Sequence, residues 1–314
     1  MQSAKILVTG AAGFIGSHLC IRLLHNPDAH VIGIDSLRSG SWSRTPSELI
    51  RVERDLREFS VSDWLTILEG VDVVYHLAAE KYNSSRSTPE KVLTTNILAT
   101  ERLFRASALA GVKRVVFTSS LYAYGSMGPK TMRETDLPQP TTLYGASKLM
   151  GENLLRSIDS ELGLSWNVAR LFFIYGPNQF AEGGYKSVIA KNFERIIDGN
   201  SPIVLGDGTQ SLDYVYIRDC VDALMALQMS ETDRMILNVS SGRATSILTL
   251  TKQMLEVAGS HLSVSHGEAD WTAKTRRVGN AHLAEQRLGW RAHWKLKEGL
   301  EDVYHWMLKS KSDE

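Results

Sequence analysis

A strand, a glycine-rich turn and a helix follow one another near the start of the chain. Lys5–Thr9 (KILVT) is a short apolar run rich in β-branched residues, which predicts a buried parallel strand. Gly10 permits a tight turn after it, Gly13 lets the backbone approach a pyrophosphate, and Gly16 lets a helix over 17–24 pack closely. With this strand and helix on either side, the GxxGxxG spacing predicts a nucleotide-cofactor site. Without them, three glycines would indicate only a turn.

An acidic residue ends the second predicted strand, His30–Ile34. Asp35 lies about 20 residues beyond the glycines, where a carboxylate can accept hydrogen bonds from both hydroxyls of an adenosine ribose and would repel a 2′-phosphate. We therefore predict NAD rather than NADP as the cofactor. Arg38 and Arg44 leave NADP as an alternative, and Asp35 could instead be a simple helix or turn cap.

Predicted strands and helices alternate through the first half of the chain. Further strands are predicted at Ile50–Leu56, Val71–Ala79, Arg114–Ser120 and Ser165–Tyr175, with a long helix at Lys91–Ala110. This alternation is typical of an α/β fold with a doubly wound parallel sheet. Ligands of such sheets bind beyond the carboxyl ends of the strands, where the glycine turn, Asp35 and Ser120 are all predicted to lie.

The second half of the chain predicts a smaller C-terminal α/β lobe that binds substrate. Glycine-containing turns separate shorter elements there, and the alternation is less regular. We expect a cofactor-binding domain formed by residues 1–174 and 213–242, and a substrate-binding lobe formed by residues 175–212 and 243–314. Asp213–Met229 and Ile236–Gly242 are predicted to return to the main sheet, and Leu296–Lys309 is predicted to be a closing amphipathic helix.

Composition excludes several classes of protein. The 314 residues include 35 basic and 35 acidic ones, which argues against a binder of nucleic acid or of anionic membranes. No apolar run approaches the ~20 residues of a membrane span, and Met1–Ala4 has no signal-peptide layout. Cys20 and Cys220 are expected to be buried free thiols. We therefore predict a soluble, cytoplasmic protein. His76 has no partner at metal-ligand spacing, so we predict no metal site.

Tyr144 and Lys148 lie four residues apart near the start of a helix that Thr141 or Thr142 would cap. Side chains at this spacing share a helix face, so the ammonium of Lys148 can stabilise a phenolate at Tyr144. Bringing a phenol pKa from ~10 to ~7 requires about 4 kcal/mol. One ammonium could supply this only in a desolvated cleft beside a second positive charge, which the oxidised nicotinamide ring of NAD would provide.

Five short motifs occur in a characteristic order. They are Thr9–Gly16 (TGAAGFIG), His76–Ala79 (HLAA), Ser119–Ser120, Tyr144–Lys148 (YGASK) and Arg170 with Tyr175–Pro177 (YGP). Together they resemble the extended short-chain dehydrogenase/reductases, and within them the branch of nucleotide-sugar epimerases and dehydratases. The resemblance extends to Leu288–Trp290 and covers nearly the whole chain. It implies a Rossmann domain that keeps NAD bound as a catalytic cofactor.

The resemblance also implies roles for individual residues. Tyr144 would be the general base, Lys148 would bind the nicotinamide ribose, and the Ser120 hydroxyl would bind the reacting sugar oxygen. The cofactor-binding positions would be Gly10, Gly13, Phe14, Ile15, Gly16, Asp35, Asp55, Leu56, Leu77, Ala78, Ala79, Lys81, Asn96, Tyr144 and Lys148. Of these, Asp55 and Leu56 would contact adenine, whereas Lys81 and Asn96 would lie near the pyrophosphate and ribose. The substrate-binding positions would be Ser120, Tyr122, Phe173, Arg276 and Arg277.

The reaction that the resemblance implies is epimerisation of a nucleotide-activated sugar, with C4 as the expected carbon. Tyr144 would remove a proton from the sugar hydroxyl while the hydride of that carbon passes to NAD and then returns to the other face. Dehydratases of the family carry Asp–Glu directly after the catalytic Ser or Thr. Leu121 and Tyr122 occupy those positions here, so dehydration of that kind is not expected.

Two substrate positions depart from the pattern of many related epimerases. Phe173 replaces an asparagine that touches the substrate diphosphate, and Leu212 replaces an arginine that pairs with a phosphate. An isobutyl group cannot replace a guanidinium. Either Arg276 or Arg277 therefore holds the diphosphate with the help of backbone donors, or the leaving group differs from the usual UDP.

Two other functions remain alternatives: an NADPH-dependent 4-keto-sugar reductase, and a non-catalytic NAD-binding regulator. Asp35 argues against the reductase, and the intact set of Ser120, Tyr144 and Lys148 argues against the regulator. The resemblance further implies a homodimer, in which the helix Lys91–Ala110 and the helix after Tyr144 would pair with their copies in a four-helix interface.

Overall fold

The computed structural model of the chain describes residues 4–126, 128, 130–179, 186–270 and 272–312. Its strands are β1 Lys5–Thr9, β2 His30–Asp35, β3 Ile50–Glu53, β4 Val73–His76, β5 Arg114–Ser120, β6 Trp166–Leu171, β7 Phe173–Tyr175, β8 Ile203–Leu205, β9 Ser211–Leu212, β10 Tyr214–Tyr216, β11 Met235–Val239, β12 Thr245–Ser246, β13 Ser265–Gly267 and β14 Arg276–Arg277. Its helices are α1 Phe14–Leu24, α2 Val61–Ile67, α3 Ser84–Ser87, α4 Pro89–Leu93, α5 Thr100–Leu109, α6 Leu143–Leu162, α7 Val188–Ile197, α8 Ile217–Met229, α9 Ile247–Val257, α10 His282–Leu288 and α11 Leu296–Ser312.

A seven-stranded sheet forms the centre of the fold, with the strand order β11-β6-β5-β4-β1-β2-β3. All neighbouring strands in it are parallel. The chain builds outward from β1 to β3, then returns to the other side of β1 with β4 and builds outward again. This reversal is the point at which doubly wound sheets bind their ligands, beyond the carboxyl ends of the strands. The prediction of a doubly wound parallel sheet is confirmed.

Both faces of this sheet are buried, which explains why its strands read as continuous apolar runs. Successive side chains of a strand point to opposite faces. Leu7 accordingly packs with α2, α5 and α6 residues in one apolar cluster, whereas Val8 packs with α1 and α8 residues in another. Cys20 and Cys220 belong to the second cluster and are buried free thiols, as expected.

Smaller sheets carry the later segments of the chain. β7 pairs with β10, β9 lies between β12 and β14, and β8 pairs with β13. Helix α11 packs against α7 and α9, and its residues Leu300, Val303 and Met307 join the same apolar cluster as Val8. Among the residues described above, every helix is too short or too polar to cross a membrane.

The strand predicted over Ser165–Tyr175 is divided in the structure. The amide of Phe172 donates to the carbonyl of Val239, but the next amide, that of Phe173, donates to the carbonyl of Asp213. β7 thereby leaves the main sheet and pairs with β10. The prediction that Asp213–Met229 returns to the main sheet is therefore wrong for β10, whereas β11 does rejoin that sheet beside β6.

Other boundaries also differ from the predictions. β3 ends at Glu53 rather than Leu56, because Asp55 caps a short 3-10 turn by accepting a 3.0 Å hydrogen bond from the amide of Arg57. β4 covers only 73–76 of the predicted strand 71–79. Helix α1 begins at Phe14, three residues earlier than predicted, and Gly13 is its N-cap.

The long helix predicted at Lys91–Ala110 is also interrupted. A π-helical turn over Thr94–Ala99 separates α4 from α5. The wider backbone spacing of such turns often accompanies functional sites. This turn carries Asn96, one of the predicted cofactor-binding residues.

Candidate active site

The turn between β1 and α1 is too tight for a side chain at Gly10 or at Gly16. Gly10 has a φ of +71°, and a Cβ there would lie 2.8 Å from the amide nitrogen of Ala78. A Cβ on Gly16 would lie 2.0 Å from the carbonyl oxygen of Gly10. Gly13 is the N-cap of the eleven-residue α1. The turn therefore presents backbone donors and the positive end of a helix dipole, which suits a pyrophosphate.

Asp35 stands at the carboxyl end of β2, beside this turn. Its Oδ2 accepts a 3.0 Å hydrogen bond from the amide of Ala12, and its Oδ1 accepts a 2.8 Å bond from the amide of Leu37. Burial raises the pKa of Asp35, although these backbone donors oppose the rise. The residue thus caps the turn, as the alternative reading proposed. Because a carboxylate offers about four lone-pair sites, it can also accept ribose hydroxyls.

Asp55 and Leu56 lie near Asp35, at the end of β3. The carboxylate of Asp55 binds Arg38 at 2.5 Å and Arg57 at 2.9 Å, and only 12% of its side chain is exposed. Arg38 also binds Glu80 at 2.8 Å. Two carboxylates therefore compensate the charge of Arg38, which weakens the case for this arginine as a binder of a 2′-phosphate.

The segment after β4 carries the predicted residues Leu77, Ala78, Ala79 and Lys81. The amide of Leu77 donates to the carbonyl of Thr9 at 3.2 Å, which fixes the segment beside the glycine turn. Lys81 is exposed. The predicted positions in this segment therefore lie at the same end of the sheet as the glycine turn.

Asn96, in the π-helical turn, connects this segment to α6. Its Oδ1 accepts a 2.7 Å bond from the amide of Glu80, and its Nδ2 donates a 3.0 Å bond to the hydroxyl of Ser147. Ser147 lies between Tyr144 and Lys148 on α6. The side chain of Asn96 is 3% exposed, so in the structure it acts mainly as a buried bridge.

His76 is a buried structural residue, as its lack of metal-ligand partners suggested. Its Nδ1 lies 2.7 Å from the hydroxyl of Thr9, and its Nε2 lies 2.9 Å from that of Thr100. Burial lowers the pKa of His76 to about 3, so its ring is neutral at physiological pH.

Ser120, Tyr144 and Lys148 lie together at the carboxyl end of β5. Thr142 is the N-cap of α6, where its hydroxyl accepts a 3.1 Å bond from the amide of Gly145. The hydroxyl of Ser120 accepts a 3.3 Å bond from the amide of Tyr122 and acts to lower the pKa of the Tyr144 phenol. The ammonium of Lys148 lies 5.9 Å from the centroid of the Tyr144 ring.

Desolvation dominates the electrostatics of this group. Burial raises the pKa of Tyr144 to about 12, although the hydrogen bond from Ser120 lowers it. Burial also lowers the pKa of Lys148 to about 7. Lys148 and Ser120 are buried, whereas Tyr144 is half-buried. In the protein alone, however, the phenol of Tyr144 remains protonated at neutral pH, and an additional positive charge is needed to ionise it.

Aromatic rings and an arginine border the catalytic group. The ring of Tyr122 lies edge-on to that of Tyr144, with centroids 5.9 Å apart, and stacks on Tyr82 at 5.1 Å. The guanidinium of Arg277 lies 5.7 Å above the Tyr122 ring. In the sheet register, Arg277 stands opposite Leu212. An arginine on β14 therefore adjoins Leu212, the position on β9 where the resemblance led us to expect an arginine.

The other two residues predicted to bind substrate, Arg276 and Phe173, have their contacts elsewhere. Arg276 donates a 3.1 Å hydrogen bond to the hydroxyl of Thr131. Phe173 lies in β7, where its ring contacts that of Tyr214 with centroids 6.2 Å apart. Of the two arginines, Arg277 is thus the one whose side chain reaches the tyrosines beside the catalytic group.

Two residues near this group were not identified from the sequence. Glu152 is fully buried on α6 and accepts a 2.6 Å bond from the hydroxyl of Ser119. Its position eight residues after Tyr144, on the same buried helix face, was a usable signal. Tyr82 lies in the segment after β4, and no pattern in the sequence distinguishes it from other surface tyrosines.

The family model for the NAD dependent epimerase/dehydratase family matches residues 6–240 of the chain. The solved structure of UDP-glucose 4-epimerase from Thermotoga maritima, with UDP-glucose, is similar with a TM-score of 0.91 and 31% identity, covering 98% of this chain and 99% of that one. UDP-glucuronic acid 4-epimerase from Bacillus cereus, in complex with UDP-glucuronic acid and NAD, is similar with a TM-score of 0.87 and 27% identity, again covering 98% and 99%.

A curated relative, the uncharacterized UDP-glucose epimerase YtcB of Bacillus subtilis, is 30% identical over 311 residues, which cover 94% of this chain and 95% of the relative. The residues described here also fit NAD: the Gly10 turn leaves no space for a Cβ, α1 begins at the turn, and Asp35 lies beside both. The chain belongs to the NAD-dependent epimerase/dehydratase family of extended short-chain dehydrogenase/reductases, whose cofactor is NAD.

Proposed function

We propose that this protein epimerises a nucleotide-activated sugar at C4, by transient hydride transfer to bound NAD with Tyr144 as general base. The observation that carries the proposal is the grouping of the half-buried Tyr144 with the buried Ser120 and Lys148 at the carboxyl end of β5. The solved relatives cited above are 4-epimerases of UDP-sugars, which supports C4 as the carbon and UDP as the nucleotide.

Each catalytic residue has a role that follows from its position. When bound, NAD accepts a hydride from the sugar carbon and later returns it. The phenolate oxygen of Tyr144 takes the proton of the sugar hydroxyl and gives it back after the keto sugar has turned over. Ser120, whose hydroxyl acts to lower the pKa of this phenol, can bind the same sugar oxygen. Lys148, on the same helix face, contributes positive charge that favours the phenolate.

Other residues hold the cofactor in the proposal. The backbone of Gly10–Gly16 and the N-terminus of α1 would bind the pyrophosphate, and Asp35 would bind the adenosine ribose. The engagement of Arg38 by Asp55 and Glu80 supports NAD over NADP, since this guanidinium already has two carboxylate partners. Asn96 would contribute by holding the segment around Glu80 against α6.

The substrate diphosphate would be bound by Arg277. Its place opposite Leu212 and its contact with Tyr122 support this assignment over Arg276, whose side chain is directed to Thr131. Leu121 is buried and Tyr122 is aromatic, so neither can serve as the carboxylate acid or base of a dehydratase. Epimerisation accordingly fits the residues around Tyr144 better than loss of water.

We further propose a homodimer and keep the predicted division into two domains. Several large apolar side chains are exposed on the side of the molecule formed by α4–α6: Leu93, Leu98, Leu109, Met150 and Leu162. Because α5 and α6 pack side by side, their copies could form a four-helix interface that covers these residues. Residues 1–174 with 213–242 would bind the cofactor, and residues 175–212 with 243–314 would bind the substrate.

One experiment separates the proposed function from its alternatives. The purified protein is incubated with UDP-, GDP- and CDP-hexoses while the sugar products and the cofactor absorbance are followed. A change of stereochemistry without net NADH production supports epimerisation. Net consumption of NADPH on a keto sugar would identify a reductase. Bound NAD without turnover of any of these sugars would identify a regulator.

A further inference from the structure

Three successive residues at the end of β5 each contact one residue on a single face of α6. Tyr144, Lys148 and Glu152 are spaced four residues apart, which places them along that face. The ammonium of Lys148 donates a 2.9 Å bond to the carbonyl of Thr118, and the hydroxyl of Ser119 donates a 2.6 Å bond to Oε1 of Glu152. Ser120, the next residue, acts on Tyr144 by lowering the pKa of its phenol.

Glu152 also binds the adjacent strand. Arg170 of β6 donates to it from Nε at 2.9 Å and from a terminal nitrogen at 2.7 Å, which makes the pair bidentate. Arg170 stands directly opposite Ser119 in the sheet register. One carboxylate therefore attaches α6 to two neighbouring strands at the level of the catalytic residues.

The far side of Arg170 is fixed as well. Its guanidinium lies 4.5 Å from the centroid of the Tyr124 ring, and the hydroxyl of Tyr124 donates a 2.7 Å bond to Asn238 on β11. The side chains of Arg170 and Glu152 are only 2% and 0% exposed. Because Arg170 packs on a tyrosine that is itself hydrogen-bonded, its bidentate pair with Glu152 has little freedom to rotate.

A buried ion pair is a poor way to gain stability. Removing two charges from water costs about as much as their attraction returns, and apolar replacements are often neutral or stabilising. The contribution of Glu152 is therefore better understood as geometric. We propose that Glu152 is a positioning residue for the catalytic step, which holds the end of β5 so that Ser120 and Lys148 stay aligned with Tyr144. This inference rests on the proposed function.

The test compares two variants with a matched control in the same helix. Glu152→Gln removes the charge but keeps the shape, and Ser119→Ala removes one hydrogen bond but leaves the ion pair in place. Glu161→Gln is the control, because the carboxylate of Glu161 is 53% exposed and binds Arg105 at the surface. We expect kcat to fall by about 10- to 100-fold in Glu152→Gln and less in Ser119→Ala, since small misplacements of reacting groups are costly.

A merely structural role would lower the unfolding temperature without these kinetic effects. We expect KM and the NAD content to stay near wild type, and the ascending, acidic limb of the pH profile of kcat to move to higher pH as Tyr144 becomes harder to ionise. Wild-type kcat and an unchanged pH profile in Ser119→Ala would overturn the inference, even if Glu152→Gln fails to fold.

A substrate-free readout separates this inference from the proposed function. The ionisation of Tyr144 is followed by ultraviolet difference absorbance in NAD-loaded protein, each variant being compared with its own Tyr144→Phe version. The groups that face the phenol, namely Ser120, Tyr122 and Lys148, remain in all variants. A higher pKa in Ser119→Ala supports the inference, and an unchanged pKa contradicts it. If wild type turns over no nucleotide sugar, the proposed function fails while this titration still decides the role of Glu152.

Discussion

The ammonium of Lys148 lies 5.9 Å from the ring centroid of Tyr144 and donates its hydrogen bond to the carbonyl of Thr118. Burial raises the pKa of Tyr144 to about 12 and lowers that of Lys148 to about 7. The protein alone is therefore not poised for proton abstraction. A positively charged nicotinamide ring beside the phenol would favour the phenolate, which links readiness for catalysis to cofactor binding.

Tyr144→Phe removes only the phenolic oxygen, so folding and bound NAD should be retained. Because general base catalysis typically contributes about 10²- to 10⁴-fold, kcat should fall by that order. The measurement is kcat together with the NAD content of the purified protein. Tyr304→Phe, in α11 with its ring packed on Phe193, is the control and should behave like wild type. Near-normal turnover in Tyr144→Phe would refute the role of general base.

Lys148→Met should abolish turnover but stabilise the NAD-free protein at low pH. The pKa of Lys148 falls from 10.5 to about 7 on folding, so below pH 7 the folded protein bears the full cost of a buried charge. Between these two values the folded state has lost its proton while the unfolded state retains it, so wild-type stability rises with pH.

The stabilisation by Lys148→Met should thus be greatest below pH 7, where a shift of about 3.5 pKa units corresponds to at most about 5 kcal/mol, and should disappear toward pH 10. Urea unfolding of both proteins across this pH range measures it. A stability difference that does not depend on pH would show that Lys148 folds with an unshifted pKa.

Asp35→Ala should weaken NAD binding by about tenfold or more, because hydrogen bonds to a charged group are worth about 1.5–3 kcal/mol. It should also relax the discrimination against NADP, since the repulsion of a 2′-phosphate is removed. Asp35→Asn loses the charge and keeps a single acceptor oxygen, which can serve the amide of Ala12 or that of Leu37 but not both. Titration calorimetry with both cofactors is the measurement. An unchanged preference would mean that the ribose is bound elsewhere.

Arg277→Ala should raise KM for the nucleotide sugar by about 10- to 100-fold, the loss expected for a charge-assisted bond to phosphate. Arg276→Ala, a neighbouring substitution of the same kind, should have a smaller effect, because Arg276 is directed to Thr131. Steady-state kinetics of the two variants decide between them. Equal effects, or a larger one in Arg276→Ala, would reverse the assignment of the diphosphate site.

The features that the sequence predicted best are local ones. The strand, the glycine turn and the helix follow one another within about 20 residues, which is the arrangement that a phosphate-binding turn requires. The spacing of Tyr144 and Lys148 is likewise set within one helix, so their shared face could be inferred without knowledge of the fold. The alternation of strands and helices then determined the parallel sheet and the end at which the site lies.

The features that escaped prediction depend on partners distant in the chain. The amide of Phe172 donates to β11, but that of Phe173 donates to Asp213. A run of apolar residues in the sequence does not show which strand each amide pairs with. The ion pairs of Asp55 with two arginines, one of them seventeen residues earlier, were not predicted either. Glu152 was not identified because its partners, Ser119 and Arg170, lie on two different strands.

The fate of the hydrogen on the reacting carbon tests the central claim most directly. The NAD-loaded protein is incubated with UDP-glucose in heavy water until the epimers equilibrate, and the product is analysed by mass spectrometry and NMR. If the hydride passes to NAD and returns, UDP-galactose should form with no solvent deuterium at C4 and no accumulation of NADH. Deuterium at C4 of the product would contradict hydride return and show that the carbon exchanges a proton instead.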